Sequence, residues 1–266
     1  MGVINVTPDS FSDGGQFLEP GAAIAEGLRM VAEGADVLDV GGESTRPGYE
    51  PVRPAEQLAR ILPVIEGLRG QVEVPISVDT TRATVAAAAM DAGADWVNDT
   101  SALTEDPEMA DLCADRNCTV VLMHRFVPSR NQTSGPPSGS EMVALLVQDL
   151  AARLQEATSR GIGEDRIVLD PGLGFGTRAH DNPEILARID LLLQLRRPLL
   201  VGPSRKSFLG ELTGRPPEER VPATAAAVTA LALAGVEIVR VHDVAAMVDV
   251  TRVADAIRSG RAEGPR

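Results

Sequence analysis

The feature that most constrains the fold of this chain is a two-part pattern that repeats eight times along the sequence. Each repeat begins with a short apolar run, rich in Val, Ile and Leu, and continues as an Ala-rich amphipathic segment. The apolar runs are residues 2–6, 36–40, 74–78, 96–97, 119–123, 166–169, 198–201 and 237–241. Eight runs in 266 residues leave about 33 residues for each repeat, which is the size of a βα unit. Because continuous apolar runs are typical of strands buried on both faces, the pattern predicts a parallel sheet.

The segments between the apolar runs have the periodicity of amphipathic helices. They are residues 22–33, 54–68, 82–91, 107–115, 141–160, 182–195, 204–212 with 223–234, and 244–258. Pro54 and Pro107 are predicted in the first turns of their helices, where proline is tolerated best. Gly34, Gly93 and Gly235 each follow a helix and precede a strand, which predicts left-handed helix C-caps.

Strict alternation of strands and helices leaves two architectures, an open doubly wound sheet and a closed barrel. A doubly wound sheet concentrates its polar residues after a few strands near one switch point. Here polar residues follow all eight apolar runs, which is the pattern of a barrel. No break in composition suggests a linker. The sequence therefore predicts an α/β fold, a (β/α)8 TIM barrel in a single domain over residues 1–258, followed by a polar C-terminal tail at 259–266.

Charge and cysteine content exclude several classes of partner and site. The formal net charge of −13 argues against nucleic acid or an anionic membrane as the main partner, since both require clustered Lys and Arg. The start has no signal-peptide pattern, and no apolar run is long enough to cross a bilayer, so we expect a cytoplasmic protein. Cys113 and Cys118, with His124, lack the spacing and the fourth ligand of a zinc site, so we expect buried thiols.

Polar side chains follow each predicted strand, at the end where a barrel would bring them together. They are Asn5, Asp39, Asp79, Asn98 with Asp99, His124, Asp170, Ser204 with Arg205 and Lys206, and Arg240 with His242 and Asp243. Segments 7–15 and 41–48 are too rich in Gly, Pro, Ser and Asp to be regular structure. Loops of this kind usually contact substrate or close over it.

The residue types at these strand ends fit a flat polar heterocycle. Asp79, Asn98 and Asp170 offer carboxylates and an amide, and a carboxylate can accept two parallel hydrogen bonds from an amino-pyrimidinone edge. Lys206 could donate to the opposite edge of such a ring. Arg240 and His242 lie just before a predicted helix, where an anion is readily bound. The combination predicts a substrate with a heterocyclic head and a phosphate-type leaving group.

Eight sequence motifs carry a resemblance to a known family. They are residues 5–15, 39–48, 79–80, 97–99, 123–124, 170–175, 204–208 and 240–243. Together, and in this order, they resemble the dihydropteroate synthases, a family of pterin-binding enzymes. No single motif is decisive, but eight in register along nearly the whole chain are highly specific.

The resemblance implies a role for each matching residue. It implies a pterin site made of Asp79, Asn98, Asp170 and Lys206, lined by Asp39 and Met123. It implies a diphosphate site made of Asn5, Arg240 and His242, in which Asn5 shares a Mg²⁺ ion with the leaving group. It implies an aminobenzoate site made of Thr45, Arg46, Pro47, Ser207 and Phe175. The residues expected to act in catalysis are Lys206, Asp79, Arg240 and His242.

The family reaction joins 6-hydroxymethyl-7,8-dihydropterin diphosphate to para-aminobenzoate and gives 7,8-dihydropteroate and diphosphate. The resemblance therefore implies a transferase of folate biosynthesis that uses Mg²⁺. Sulfonamides mimic aminobenzoate, and some members of the family resist them, so the resemblance leaves both a sulfonamide target and a resistant enzyme open. Family members are usually homodimers, and the apolar segment 223–234 is a candidate contact. The chain departs from the family pattern at Thr100 and Ala102, where a β-branched aliphatic residue and glycine are usual, and at Pro203.

Three alternative functions share part of this pattern. A corrinoid-dependent pterin-binding methyltransferase would not need the segment 204–206, the Arg240 and His242 pair or the loop at 45–47. A silent homologue that binds pterin for regulation would tolerate the loss of Lys206, Arg240 or Asn5, and all three are present. A sugar-phosphate barrel enzyme would place glycine-rich phosphate loops after strands seven and eight.

Overall fold

The structure is a computed structural model that describes residues 1–7, 20–43, 52–126 and 137–261. The chain divides into two compact units. Unit 1 holds Met1–Leu122 and Arg153–Ile167, and unit 2 holds Met123–Ala152 and Val168–Arg266. The single domain expected over residues 1–258 stays a prediction.

Strands and helices alternate along the chain as the sequence pattern predicts. The strands are β1 Gly2–Asn5, β2 Leu38–Gly41, β3 Ile76–Asp79, β4 Trp96–Asp99, β5 Thr119–Met123, β6 Ile167–Asp170, β7 Leu200–Val201 and β8 Ile238–Val239. The helices are α1 Pro20–Ala32, α2 Pro54–Arg69, α3 Ala83–Asp91, α4 Met109–Arg116, α5 Ser140–Ser159, α6 Asn182–Ala187, α7 Ile189–Leu193, α8 Ser207–Thr213, α9 Val221–Ala234 and α10 Val244–Ser259. No helix within the described ranges is long and apolar enough to cross a membrane.

Unit 1 is built on parallel strands that pair in chain order from β1 to β5. Their apolar residues form its core, and Ile4, Leu38 and Ile76 are fully buried in it. The helices α1, α2 and α3 pack side by side against these strands. Since both faces of a parallel sheet are buried, the strands read as continuous apolar runs, as observed.

Unit 2 contains the end of β5, most of β6, and the pair β7 and β8. The His124 N–H donates to the Asp170 carbonyl over 2.9 Å, which holds the end of β5 beside the end of β6. Leu169 forms a parallel bridge with Leu199, just before β7. The strands β7 and β8 are themselves parallel, with Leu200 opposite Ile238. All four strand ends in this unit thus point in one direction.

Most predicted helix boundaries lie within two residues of the observed ones. Pro54 is the first residue of α2, and Gly34, Gly93 and Gly235 have φ of 100°, 113° and 99°, as left-handed caps require.

Three boundary predictions are wrong. Pro107 precedes α4, whose N-cap is Glu108, and does not lie in its first turn. The predicted helix 182–195 is two helices, because Arg188 leaves helical geometry with φ −113° and ψ 26°. The helix predicted from residue 204 begins at Ser207, because Ser204–Lys206 forms a turn instead.

Candidate active site

The strand ends of unit 1 hold a row of polar groups in register. Asn5 lies opposite Gly41, Gly41 opposite Asp79, and Asp79 opposite Asn98. These residues therefore stand at one level across four neighbouring strands. A Cβ atom at Gly41 would lie 3.4 Å from the Asp79 Cβ atom, so the glycine leaves the flank of the Asp79 carboxylate uncovered. The row offers a carboxylate flanked by two side-chain amides.

Asp39 lies one level deeper than this row, inside β2 and opposite Ser77, and not past the strand end where the sequence analysis placed it. The Asn98 side-chain N–H donates to the Asp39 carboxylate over 3.0 Å, and both side chains are buried. This bond fixes which way the Asn98 amide faces. Asn98 Oδ1 and Ser77 Oγ are buried without a hydrogen-bond partner among the described residues. Because an unpaired buried acceptor is costly, Asn98 Oδ1 suits a ligand that brings its own N–H.

Asp99 braces the loop after β4. Its buried carboxylate accepts the Ser101 N–H and hydroxyl over 2.7 Å each, and the Leu103 N–H over 3.0 Å. Burial raises the pKa of the Asp99 carboxyl, and the hydrogen bonds from Ser101 act in the opposite direction. Ala102 and Leu103 adopt left-handed φ of 50° and 66° inside this loop. Ala102 thus occupies a conformation that favours glycine, the residue usual in the family.

In unit 2, the turn after β7 carries Lys206 to the N-cap position of α8. Its Nζ atom lies 4.3 Å from the centre of the Phe175 ring, which is cation–π distance. Ser207 follows as the exposed first residue of α8. The side chains of Lys206 and Phe175, both predicted site residues, are therefore brought into contact.

The loop after β6 places Asp170 and Met123 side by side. One Asp170 carboxylate oxygen accepts the Gly172 N–H over 2.8 Å. A Cβ atom at Gly172, whose φ is 65°, would lie 1.8 Å from the His124 carbonyl oxygen and 3.3 Å from Met123 Cγ. Only glycine fits this position, which lets the backbone of the loop lie directly on the end of β5.

His242, in the turn after β8, is held by the hydroxyl group of Ser204, in the turn after β7. Ser204 Oγ accepts the His242 main-chain N–H over 3.2 Å and lies 2.9 Å from His242 Nδ1. Since that oxygen already accepts the main-chain N–H, the Ser204 proton is available for Nδ1, which favours the tautomer with its proton on Nε2. Such a ring presents an N–H donor, which suits an anionic ligand.

Two further contacts fix the ends of β7 and β8. The Arg240 N–H donates to the Val201 carbonyl over 3.0 Å, so Arg240 begins the segment that leads into α10. The Arg205 guanidinium binds the Asp243 carboxylate through two hydrogen bonds, of 3.0 and 2.5 Å. The turn that carries Lys206 is therefore tied to the turn that carries His242.

Three predicted site residues lie outside the described part of the chain. They are Thr45, Arg46 and Pro47. Most of the first Gly- and Ser-rich loop, at residues 8–19, also lies outside it.

One contact beside the predicted residues had no signal in the sequence. The His124 Nδ1 atom lies 2.7 Å from the Asp149 carboxylate of α5, and its buried Nε2 atom has no hydrogen-bond partner in the described ranges. Asp149 lies within an ordinary amphipathic helix, and nothing in the spacing distinguishes it from other surface carboxylates. The predicted buried thiols are confirmed, since Cys113 and Cys118 are free and buried. A hydrogen bond with Cys118, together with burial, raises the pKa of the Cys113 thiol.

The family of the chain is decided by a match to a family model. The model for pterin binding enzymes matches residues 1–242. The chain belongs to the pterin-binding enzyme family. Among its relatives, the dihydropteroate synthase of Synechocystis sp. is 44% identical over 97% of this chain and 89% of its own length.

Solved dihydropteroate synthases have the same fold as this member of the family. The Xanthomonas albilineans enzyme with 4-aminobenzoic acid is 46% identical, with a TM-score of 0.89 over 97% of this chain and 92% of that one. The same enzyme with 7,8-dihydropteroate gives a TM-score of 0.86 at 43% identity, over 97% and 92%. The predicted α/β fold class, a (β/α)8 barrel, and the predicted family are thereby confirmed.

Proposed function

We propose that this chain is a dihydropteroate synthase, which condenses 6-hydroxymethyl-7,8-dihydropterin diphosphate with para-aminobenzoate to give 7,8-dihydropteroate and diphosphate. The observation that carries the proposal is the Asn98 amide, which Asp39 orients so that its buried Oδ1 atom needs a donor, in register with the Asp79 carboxylate. A pterin carries an amino-pyrimidinone edge that supplies such donors. Membership of the pterin-binding family supports the same assignment.

The pterin ring is the ligand of the polar row in unit 1. Asp79 accepts hydrogen bonds from the amino group and a ring N–H, because a carboxylate can accept two parallel hydrogen bonds from this edge. Asn98 accepts another through Oδ1. Asp39 lines the site and acts mainly through Asn98, since its carboxylate accepts the Asn98 N–H.

In unit 2, Asp170, Lys206 and Met123 also bind the pterin. The carboxylate of Asp170 lies at the end of β6, where Gly172 leaves no side chain over it. Lys206, held against the Phe175 ring, donates to the carbonyl side of the heterocycle. The buried Met123 side chain supplies apolar contact.

The diphosphate is bound by Asn5, Arg240 and His242. An Nε2 proton on His242 and the Arg240 guanidinium donate to the leaving group as its charge develops. The half-buried Asn5 side chain at the end of β1 offers an amide oxygen, a ligand type that suits Mg²⁺ bound mainly through substrate phosphates. When bound, Mg²⁺ neutralises part of the charge of the diphosphate.

The aminobenzoate site comprises Thr45, Arg46, Pro47, Ser207 and Phe175. Ser207 is exposed at the start of α8, where its hydroxyl and main-chain N–H can meet a carboxylate. Phe175 packs against Lys206, so the two substrates share one wall of the pocket.

In the reaction, the bond between the pterin methylene carbon and the diphosphate oxygen breaks, and both electrons leave with the diphosphate. The aminobenzoate nitrogen then bonds to the methylene carbon and loses a proton. Asp79 stabilises the electron-poor pterin, which Lys206 helps to hold, while Arg240 and His242 bind the diphosphate as it becomes more negative. The arylamine is already a nucleophile, so the chemistry requires no strong general base.

An apolar face on α9 and α10 supports a homodimer. The two helices pack together, and both expose apolar side chains. These are Pro222, Ala226, Ala230 and Leu233 on α9 and, between exposed charged residues, Val253 and Ile257 on α10. Val253 is 60% exposed and Ile257 65% exposed, and neighbouring large apolar side chains with this exposure are typical of an interaction surface. We therefore assign this face to a second copy of the chain.

Free buried thiols suit the cytoplasm, where we place the reaction.

Sedimentation velocity tests the dimer. Wild-type protein should sediment as a dimer, and Ile257→Glu should sediment as a monomer because a charge is placed in the apolar face. Leu212→Glu changes an equally exposed leucine on α8 and should remain dimeric. A monomeric wild type, or a dimeric Ile257→Glu variant, contradicts the assignment.

The activity is tested with the pterin diphosphate and Mg²⁺, with and without para-aminobenzoate. Diphosphate release is measured together with chromatographic detection of dihydropteroate. Dihydropteroate formed only in the presence of aminobenzoate supports the proposal. Pterin binding without diphosphate release or product would point to a silent pterin-binding homologue instead.

A further inference from the structure

The residue before Lys206 is held in a conformation that it does not favour. Arg205 has a φ of 57°, in the left-handed region, although it is not a glycine. Such residues persist only where the surrounding structure holds them, and they concentrate at functional sites. Lys206 follows at once and takes its direction from this turn.

The start of α9 binds both main-chain groups of Arg205. Arg220, the N-cap residue of α9, donates from Nη1 to the Arg205 carbonyl over 2.9 Å, with a longer contact of 3.4 Å to the Lys206 carbonyl. Thr224, one helical turn later and fully buried, accepts the Arg205 N–H at Oγ1 over 3.2 Å. Arg220 Nε is in turn fixed by the Arg215 carbonyl over 2.8 Å.

Gly210 of α8 makes room for the Arg220 guanidinium. A Cβ atom at Gly210 would lie 2.2 Å from Arg220 Nη2 and 2.5 Å from Cζ, so the guanidinium rests directly on the glycine backbone. The φ of Gly210 is not in the left-handed region, so its backbone conformation does not require glycine. A glycine inside a helix and a cation at a helix N-terminus are each locally unfavourable. The packing of the Arg220 guanidinium against Gly210 accounts for both the glycine inside α8 and the arginine at the start of α9.

We propose that Arg220, seated on Gly210, is a positioning residue for Lys206 that holds the left-handed turn at Arg205. The inference rests on the proposed function, since it assumes that Lys206 binds the pterin. Arg220 touches main-chain oxygens of the turn, so its effect on the reaction passes through the direction of the Lys206 side chain. Without Arg220 the turn relaxes and Lys206 spends less time in its binding position.

The first experiment measures binding of an unreactive pterin, pterin-6-carboxylate, by calorimetry. We expect Arg220→Ala to raise its dissociation constant about tenfold, because small displacements of a binding group have large effects. Arg215→Ala is the matched control: it removes an exposed arginine of the same segment, whose side chain pairs with the exposed Glu219, and should stay within about twofold. Arg220→Lys keeps the charge without the planar fork and should fall between the two. Equal affinities for the wild type, Arg220→Ala and Arg215→Ala would overturn the inference.

A double-mutant cycle separates positioning from a general structural role. In a Lys206→Ala background, Arg220→Ala should weaken pterin binding little further, because the group that it positions is gone. Losses that add fully would overturn the inference, since they would show that Arg220 acts independently of Lys206.

A second variant tests the inference even if Arg220→Ala fails to fold. Gly210→Ala keeps Arg220 but places a methyl group where the Arg220 guanidinium packs. It should reproduce the loss of pterin affinity and give faster amide exchange at residues 204–209. Unchanged exchange and unchanged affinity in Gly210→Ala would overturn the inference. A wild type that does not bind pterin would instead overturn the proposed function.

Discussion

The two units hold their site residues by different means. In unit 1, Asn5, Asp79 and Asn98 are the last or next-to-last residues of parallel strands, and the register of the main chain sets their level. In unit 2, Lys206 and His242 lie in turns after very short strands, and side-chain contacts from Ser204, Arg205 and more distant residues hold them. A strand is part of the core and is expensive to move, whereas a turn depends on a few individual bonds. A substituted side chain at a strand end should therefore keep the position that the strand gives it, whereas loss of a contact around a turn should displace the site residue that the turn carries.

The largest effect is expected from Asp79→Asn. The variant keeps the shape of the side chain but loses the charge that strengthens two hydrogen bonds to the pterin. We expect the binding free energy to weaken by about 3 kcal/mol, which lowers pterin affinity roughly 100-fold. Thermal unfolding should be almost unchanged, because strand pairing positions the residue. Calorimetric titration with an unreactive pterin measures the affinity, and Asp115→Asn, at an exposed position of α4, is the control. A large loss of thermal stability in Asp79→Asn would contradict the claim that strand pairing positions the residues of unit 1.

A second prediction tests the buried partner of Asn98. Asn98→Asp places a carboxylate where an N–H now donates to Asp39 over 3.0 Å. Two buried carboxylates at this distance should lower the free energy of unfolding by about 3 kcal/mol at neutral pH. The repulsion raises the folded-state pKa of one carboxyl above its unfolded value. The destabilisation is therefore absent below the unfolded pKa, grows as the pH rises from the unfolded to the folded pKa, and is complete above it.

Urea unfolding of the Asn98→Asp variant at several pH values measures this dependence. Asn98→Ala serves as the control, since it removes the donor to Asp39 without adding a second carboxylate and should show a smaller dependence on pH than Asn98→Asp. A difference between Asn98→Asp and the wild type that stays constant from acid to neutral pH would refute the explanation.

A third prediction concerns the tie between the two turns of unit 2. Asp243→Asn weakens the double hydrogen bond to Arg205. The pair is partly exposed, so stability should fall by less than about 1 kcal/mol. The kcat/KM for the pterin diphosphate should nevertheless fall about tenfold, because both turns lose a restraint. Steady-state kinetics with Asp249→Asn, an exposed α10 residue, as control would expose a nonspecific charge effect.

The smallest effect is expected at Ala102. Its φ of 50° means that Ala102→Gly relieves strain while losing a buried methyl group, so stability should change by less than about 0.5 kcal/mol. The same substitution at Ala152, an exposed position inside α5, should cost about 1 kcal/mol. Urea unfolding distinguishes the two. Equal losses at both positions would mean that the loop after β4 is not strained.

The contrast between the units also explains which parts of the fold and of the candidate site could be predicted from the sequence. Alternation of apolar runs and helical segments predicts the strands, and the polar residue that ends each strand identifies Asp79, Asn98 and Asp170. The alternation does not give the register between strands, which is why Asp39 was grouped with the strand-end residues although it lies opposite Ser77, inside the sheet. The break at Arg188 was missed because the apolar spacing continues through it.

Contacts between residues far apart in the sequence leave no local pattern. Asp149, which pairs with His124, lies in an ordinary helix segment. Arg220, which donates to the Arg205 carbonyl, lies in the polar segment before α9. The roles of Thr45, Arg46 and Pro47 remain predictions, since they lie beyond the described residues.

The glycine at position 172 also bears on how this protein could evolve. Any side chain there would collide with the His124 carbonyl, at 1.8 Å from its first atom. The position beside Asp170 is therefore closed to mutation, and a compound that fills the proposed pterin site could contact Gly172 without meeting a variant form. Escape from such a compound would have to arise at tolerant positions such as the exposed Ser207. Inhibitors that reach towards Gly172 should accordingly retain their potency longer under selection than those that reach towards α8.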